Sequence, residues 1–148
     1  MSSFRKERLG IGIVGGGFVA GFHIRSFEAV RNADIRGVVS RTRDTATNAA
    51  ALVKDLGVGD AEVFESVAEM VTDSNIDAIW ICSPNFTHVE IMEEIVDTLE
   101  SGQGKLVGVC CEKPLGRNVA EAQRMAELVK KVGLLDGYLE NQLFTPSV

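Results

Sequence analysis

Apolar residues along this chain fall into two alternating rhythms: short unbroken runs, and longer stretches where they recur every three or four positions. The first run is Leu9-Gly-Ile-Gly-Ile-Val14, and its lack of polar alternation predicts a strand buried on both faces. A helix is predicted over 18–30, with Val19, Phe22, Ser26 or Phe27, and Val30 at helical spacing. A second strand is predicted over 34–40, centred on Val38-Val39. The helix predicted over 43–56 carries Ala46, Ala49, Ala50, Val53 and Leu56 on one side. A short strand at 62–64 and a short helix at 67–72 come next. Ala78-Ile-Trp-Ile-Cys82 reads as a strand, 88–99 as a helix with Met92, Ile95, Val96 and Leu99 inward, and 106–110 as a strand. The last elements are a helix over 119–132, facing inward through Ala122, Met125, Ala126, Val129 and Val132, and a strand over 135–140.

Three helix starts share one signal. Ser66 with Glu69, Thr87 with Glu90, and Asn118 with Glu121 each place a capping side chain three positions before an acid. Such a cap accepts from a free N–H of the first turn, while the acid reaches back to the cap's own N–H. Regular alternation of strand and helix predicts an α/β fold, a three-layer, doubly wound parallel sheet covered by helices on both faces. Right-handed crossovers then leave few topologies.

A length of 148 residues fits one domain, and with 45% hydrophobic residues it can bury a core. The net charge of −6 argues against a nucleic-acid partner and an acidic membrane surface. Arg5, Lys6 and Arg8 form too short a basic cluster to alter that, and are expected to be a solvated lead-in to the first strand. Cys82, Cys110 and Cys111 are odd in number, sit in or beside apolar runs and lack zinc-ligand spacing; they read as buried reduced thiols of a cytoplasmic protein, with no metal site. No apolar run reaches the ~18–20 residues that span a bilayer, and the short 9–14 run leads into glycines and not into a signal-peptide cleavage site.

Chemistry concentrates where the predicted strands end. Gly15-Gly16-Gly17-Phe18-Val19-Ala20 fits G-x-G-x-x-A between a strand and a helix. Gly15 suits a tight turn, Gly17 lets backbone approach a pyrophosphate, and Ala20 keeps helix and strand close. The helix start at Phe18 and Val19 offers free N–H groups to phosphate, although a glycine turn can also serve packing alone. After the second strand the chain reads Ser40-Arg41-Thr42-Arg43, with no acid before Asp44. An NAD site wants an acid there for the ribose hydroxyls, whereas Ser40, Thr42 and Arg41 suit a 2′-phosphate, which favours NADP; one of the two arginines is expected to be merely solvated. Ser83-Pro84-Asn85 leaves the 78–82 strand where open sheets bind ligands, followed by His88, which can line the site or fill the core. Glu112-Lys113-Pro114 leaves the next strand at the same edge. A lysine there can move a proton or polarise a carbonyl, or simply be solvated.

Taken together, the G-x-G-x-x-A turn, the Ser83-Pro84-Asn85 turn with Thr87-His88, and Glu112-Lys113-Pro114-Leu115 resemble the glucose–fructose oxidoreductase, inositol dehydrogenase and MocA family over about residues 9–144. The resemblance implies an NAD(P)-binding Rossmann domain over 1–140. It implies hydride transfer between the nicotinamide and a sugar- or polyol-type hydroxyl or carbonyl. Lys113 would be catalytic, Glu112 and Ser83–Asn85 would line the cofactor, and His88 would line the site. Family chains run to about twice this length. Residues 141–148 are therefore expected to open a C-terminal substrate and oligomerisation domain missing from this sequence, through which the full protein would form a homo-oligomer. Without that domain the chain should bind cofactor and not turn over. The alternative within the same fold is a non-catalytic regulator that senses a dinucleotide, which would have little need of Lys113.

Overall fold

Six strands form one parallel sheet in the order β3-β2-β1-β4-β5-β6, the order of a doubly wound dinucleotide-binding fold. A computed structural model describes residues 7–144 and 146. In chain order the elements are β1 (Leu9–Val14), α1 (Phe18–Ser26), β2 (Ala33–Val39), α2 (Arg43–Asp55), β3 (Gly59–Val63), α3 (Val67–Thr72), β4 (Ala78–Ile81), α4 (His88–Glu100), β5 (Gly108–Glu112), α5 (Val119–Val132) and β6 (Leu135–Leu139). Short 3-10 turns follow α1, precede α4 and close the described chain at Asn141–Phe144.

The unbroken apolar runs have the cause expected of them. Ile11 and Ile13 point to one face and pack with Ala20, Ile24 and Phe27 of the α1 region and with Ala46, Ala49, Ala50 and Val53 of α2. Val14, Ile79, Ile81, Val109 and Cys111 point to the other and pack with Met70, Met92, Ile95, Val96, Met125 and Leu128 from α3, α4 and α5. Period-two alternation is present, but both faces are apolar, so polarity does not reveal it.

Differences from the sequence expectation have local causes. Helix α1 stops at Ser26, whose hydroxyl donates to the Phe22 carbonyl at 2.9 Å, a back-bond that tightens the chain into a 3-10 turn. Its inward face is Ala20, Ile24 and Phe27, whereas Val19, Phe22 and Val30 are exposed. The glycine turn sets this rotation: it starts the helix at Phe18, so the small Ala20 meets the sheet. On α5, Met125 and Leu128 are buried and Ala126 is exposed. Strand β5 runs two residues later than expected and includes Glu112, which pairs with Leu139 of β6. Strand β3 begins three residues earlier than expected, pairing from Gly59 against Ile35.

Ser66 and Asn118 cap α3 and α5, accepting from the N–H of Glu69 and Glu121 at 3.0 Å each. The acids reach one residue beyond the caps, to the N–H of Glu65 and Arg117 at 2.7 Å. Thr87 is no cap: its hydroxyl donates to the Pro84 carbonyl at 2.8 Å and meets Ser83 Oγ at 2.8 Å. Arg8 is more than a solvated lead-in, since its guanidinium grips both Asp34 oxygens at 2.7 and 2.9 Å and the Ala33 carbonyl at 3.0 Å, fastening the start of β1 to β2. Arg5 and Lys6 lie outside the described residues.

Candidate functional site

The sequence motifs meet at the carboxyl edge of the sheet, beside the point between β1 and β4 where strand order reverses. Gly15 has φ +103°, and a Cβ there would come within 2.9 Å of the Ser83 N and 3.0 Å of the Cys82 carbonyl oxygen. Only glycine fits this turn, which lays the loop after β1 against the loop after β4. The loop is tied on its other side as well. Gly15 N–H donates to the Val39 carbonyl at 2.8 Å, and Gly16 N–H to Ser40 Oγ at 3.2 Å.

Gly17 differs from its neighbours. It is the N-cap of α1 in extended conformation (φ −81°, ψ −164°), and a Cβ there would meet nothing within 4 Å. No side chain caps α1, and Phe18 and Val19, which begin it, are exposed. The result is a helix N-terminus with open space before it and N–H groups left for an incoming acceptor.

At the end of β2, Ser40 is half-buried and Arg41 is exposed. The neighbouring residues are otherwise engaged. Thr42 Oγ1 caps α2, accepting from Thr45 N–H at 3.3 Å, and Arg43 pairs with Glu65.

The other two turns follow β4, which pairs with β1, and β5, which pairs with β4. Pro84 is exposed and Asn85 half-buried on the loop after β4; Lys113 and Pro114 are exposed on the loop after β5, joined by a cis peptide. Glu112 is largely buried and held from two sides. His23 Nε2 lies 2.7 Å from Glu112 Oε1, and Glu112 Oε2 accepts the Lys113 N–H at 3.0 Å. His23 stacks edge-on against Trp80 at 5.2 Å. His88 is fully buried behind both turns, with Nε2 2.9 Å from the Ser83 carbonyl.

Sequence reasoning singled out every element of this edge except His23. A signal existed: His23 shares a helical face with Ala20, Ile24 and Phe27, so it had to point at the sheet. Burial also sets the thiol chemistry. It pushes the Cys82 thiol well above its ordinary range and the Cys111 thiol up to about 12, with the Glu112 carboxylate adding to both. Both are therefore neutral S–H groups at neutral pH.

A family profile described as "Oxidoreductase family, NAD-binding Rossmann fold" matches residues 9–137. The chain belongs to this oxidoreductase family. It is 30% identical over 124 residues to the glucose-6-phosphate 3-dehydrogenase of Bacillus subtilis, covering 84% of this chain and 31% of that protein. Against the myo-inositol 2-dehydrogenase of Thermotoga maritima it is 27% identical over 125 residues, covering 84% of this chain and 34% of the relative. The solved structure of GenD2 from gentamicin A biosynthesis, in complex with NAD, superposes with a TM-score of 0.76 at 27% identity, over 99% of this chain and 38% of that one. The chain thus spans about a third of the length of the curated relatives it matches.

Two concavities lie elsewhere, one of about 520 Å³ along the acidic side of α4 and one of about 480 Å³ between α5 and β6. Neither gathers the strand-end turns. Among the described residues, no group of three or more His, Cys, Asp or Glu is placed to hold a metal ion. No helix there is long and apolar enough to cross a membrane.

Proposed function

We propose that this carboxyl edge binds a nicotinamide dinucleotide, with NADP preferred over NAD, and that the chain is the cofactor-binding part of an oxidoreductase acting on a sugar, polyol or related hydroxyl or carbonyl compound. The carrying observation is the Gly17 N-cap: a helix start without a side-chain cap, opening on space that a Cβ would enter freely. The backbone of Gly15, Gly17, Phe18 and Val19 suits a pyrophosphate, which accepts from the free N–H groups and gains from the helix dipole.

At the adenosine end, Ser40 accepts from Gly16 N–H and so keeps its own O–H free to donate. Arg41 stands exposed beside it, while Arg43 is committed to Glu65. A hydroxyl donor and one uncommitted guanidinium, with no acid before Asp44, suit a 2′-phosphate better than a ribose hydroxyl. At the opposite end, Ser83, Pro84, Asn85 and Glu112 form the nicotinamide side; His88, expected from the sequence to line it, is buried behind them. Lys113 Nζ holds the proton exchanged with the substrate oxygen. The bound dinucleotide supplies the hydride acceptor or donor.

Support for the substrate class comes from the named activities of the two curated relatives, on a sugar phosphate and on myo-inositol. In this reading residues 1–140 are the cofactor domain. Residues 141–148 lead into a second domain that supplies further substrate contacts and the subunit interface, so this chain alone binds cofactor without turning over.

Gly17→Asp tests the reading. Aspartate is a favoured N-cap, so the fold should keep its melting temperature. Its carboxylate would occupy the anion position, so dinucleotide affinity measured by calorimetry should fall at least ~10-fold. Unchanged affinity would show that the pyrophosphate does not sit on this helix start.

A further inference from the structure

His88 is the least exposed polar side chain of the described residues, at 0%. It starts α4, and its ring lies behind the turns after β4 and β5. Nε2 lies 2.9 Å from the Ser83 carbonyl oxygen, in the turn after β4. Nδ1 lies 3.3 Å from the Leu115 carbonyl oxygen, in the turn after β5, and 3.3 Å from the Cys111 sulfur. One imidazole therefore touches the backbone of both turns that face the nicotinamide end.

The chemistry assigns the proton. A carbonyl oxygen only accepts, so the nitrogen that bonds to it carries the N–H. The shorter contact, to Ser83, takes that N–H from Nε2. Nδ1, on the other side of the ring, lies 3.3 Å from both the Leu115 carbonyl oxygen and the Cys111 sulfur, so it meets the end of β5 and the turn that follows it. The ring thus spans from the Ser83 carbonyl on one side to Cys111 and Leu115 on the other. Ser83 is braced further by its hydroxyl contact with Thr87, whose own hydroxyl donates to Pro84.

We infer that His88 is a positioning residue that cross-links the Ser83–Asn85 turn to the Glu112–Leu115 turn, so that the two walls of the nicotinamide end are set relative to each other by one buried imidazole. The inference rests on the dinucleotide reading above. It predicts a selective defect: the adenosine end, formed by the turn after β1 and the end of β2, does not depend on His88.

Binding to this chain separates the possibilities, using NADPH emission for the nicotinamide end and ADP-ribose competition for the adenosine end. His88→Leu is the first variant. Its apolar side chain suits the interior, but it leaves the Ser83 carbonyl without a donor. The expected result is NADPH binding about 10-fold weaker with the emission enhancement lost, and ADP-ribose binding within about 3-fold of wild type. His88→Gln, whose amide reaches the Nε2 position, should restore the NADPH signal. His88→Asn, whose shorter amide reaches only the Nδ1 position, should not, and this pair carries the test if the leucine variant fails to fold. Equal NADPH binding across all four proteins overturns the cross-link, and so does an equal loss of both ligands. If wild type binds neither NADPH nor ADP-ribose, the dinucleotide reading itself has failed.

Discussion

At the scale of single residues, the glycine turn and the end of β2 carry the most. Three consecutive glycines look alike in sequence but do different work. Gly15 is required by a φ of +103° and by backbone contact with the β4 turn, Gly16 by the Thr45 carbonyl, 2.6 Å from where its Cβ would stand, and Gly17 by nothing among the described residues. That open helix start is what the proposed pyrophosphate site rests on. Arg41 and Arg43 also look equivalent in sequence, and only the structure separates them, because Glu65 lies 22 positions beyond Arg43. Arg41→Ala should therefore weaken NADP at least ~10-fold and leave NAD within ~2-fold, while Arg43→Ala should spare both. Parallel titrations check this, and equal losses in the two variants would remove Arg41 from the 2′-phosphate site.

At the scale of elements, local grammar was legible wherever one short segment decides the outcome. The Ser66 and Asn118 caps and the α5 boundaries were readable because both donor and acceptor lie within one turn. Thr87 matched the same pattern and failed, because its hydroxyl finds the Pro84 carbonyl and Ser83 Oγ in the turn that precedes it. The rotation of α1 was misjudged for a related reason: its bulky residues fall on the outer side, and contact of Ala20 with the sheet overrides periodicity. Asn118→Ala should cost about 1 kcal/mol in denaturant unfolding, the usual value of a lost cap. Thr87→Ala should cost less than about 0.5 kcal/mol there, since its hydroxyl braces an exposed turn and no helix start. A larger loss at Thr87 than at Asn118 would reverse that assignment.

At the scale of the whole molecule, strand–helix alternation dictated the layers, and the strand-end motifs pointed to the edge proposed above to bind the dinucleotide. What periodicity could not supply was long-range pairing. The link between His23 and Glu112 spans 89 positions, and that between His88 and Leu115 spans 27. The interior also leaves a titration signature. Cys82 and Cys111 have folded pKa values raised above the ordinary thiol value near ~8.5. A raised folded value means the native state holds the proton more tightly. This contribution is whole below pH ~8.5 and is lost as pH climbs from there through the folded values. Melting temperature should therefore fall between pH ~8.5 and ~10.5, and Cys82→Val, which removes one titrating thiol from the core, should flatten the fall. An identical slope in the variant would show that other groups drive it.

The most direct test of the central claim is calorimetric titration of this chain with NADP and with NAD at one salt concentration. The account predicts saturable, one-site binding of both, with NADP at least ~10-fold tighter, about 1.4 kcal/mol. Tighter NAD would contradict the role given to Ser40 and Arg41, and binding of neither would contradict the assignment of the Gly15–Val19 turn as a dinucleotide site.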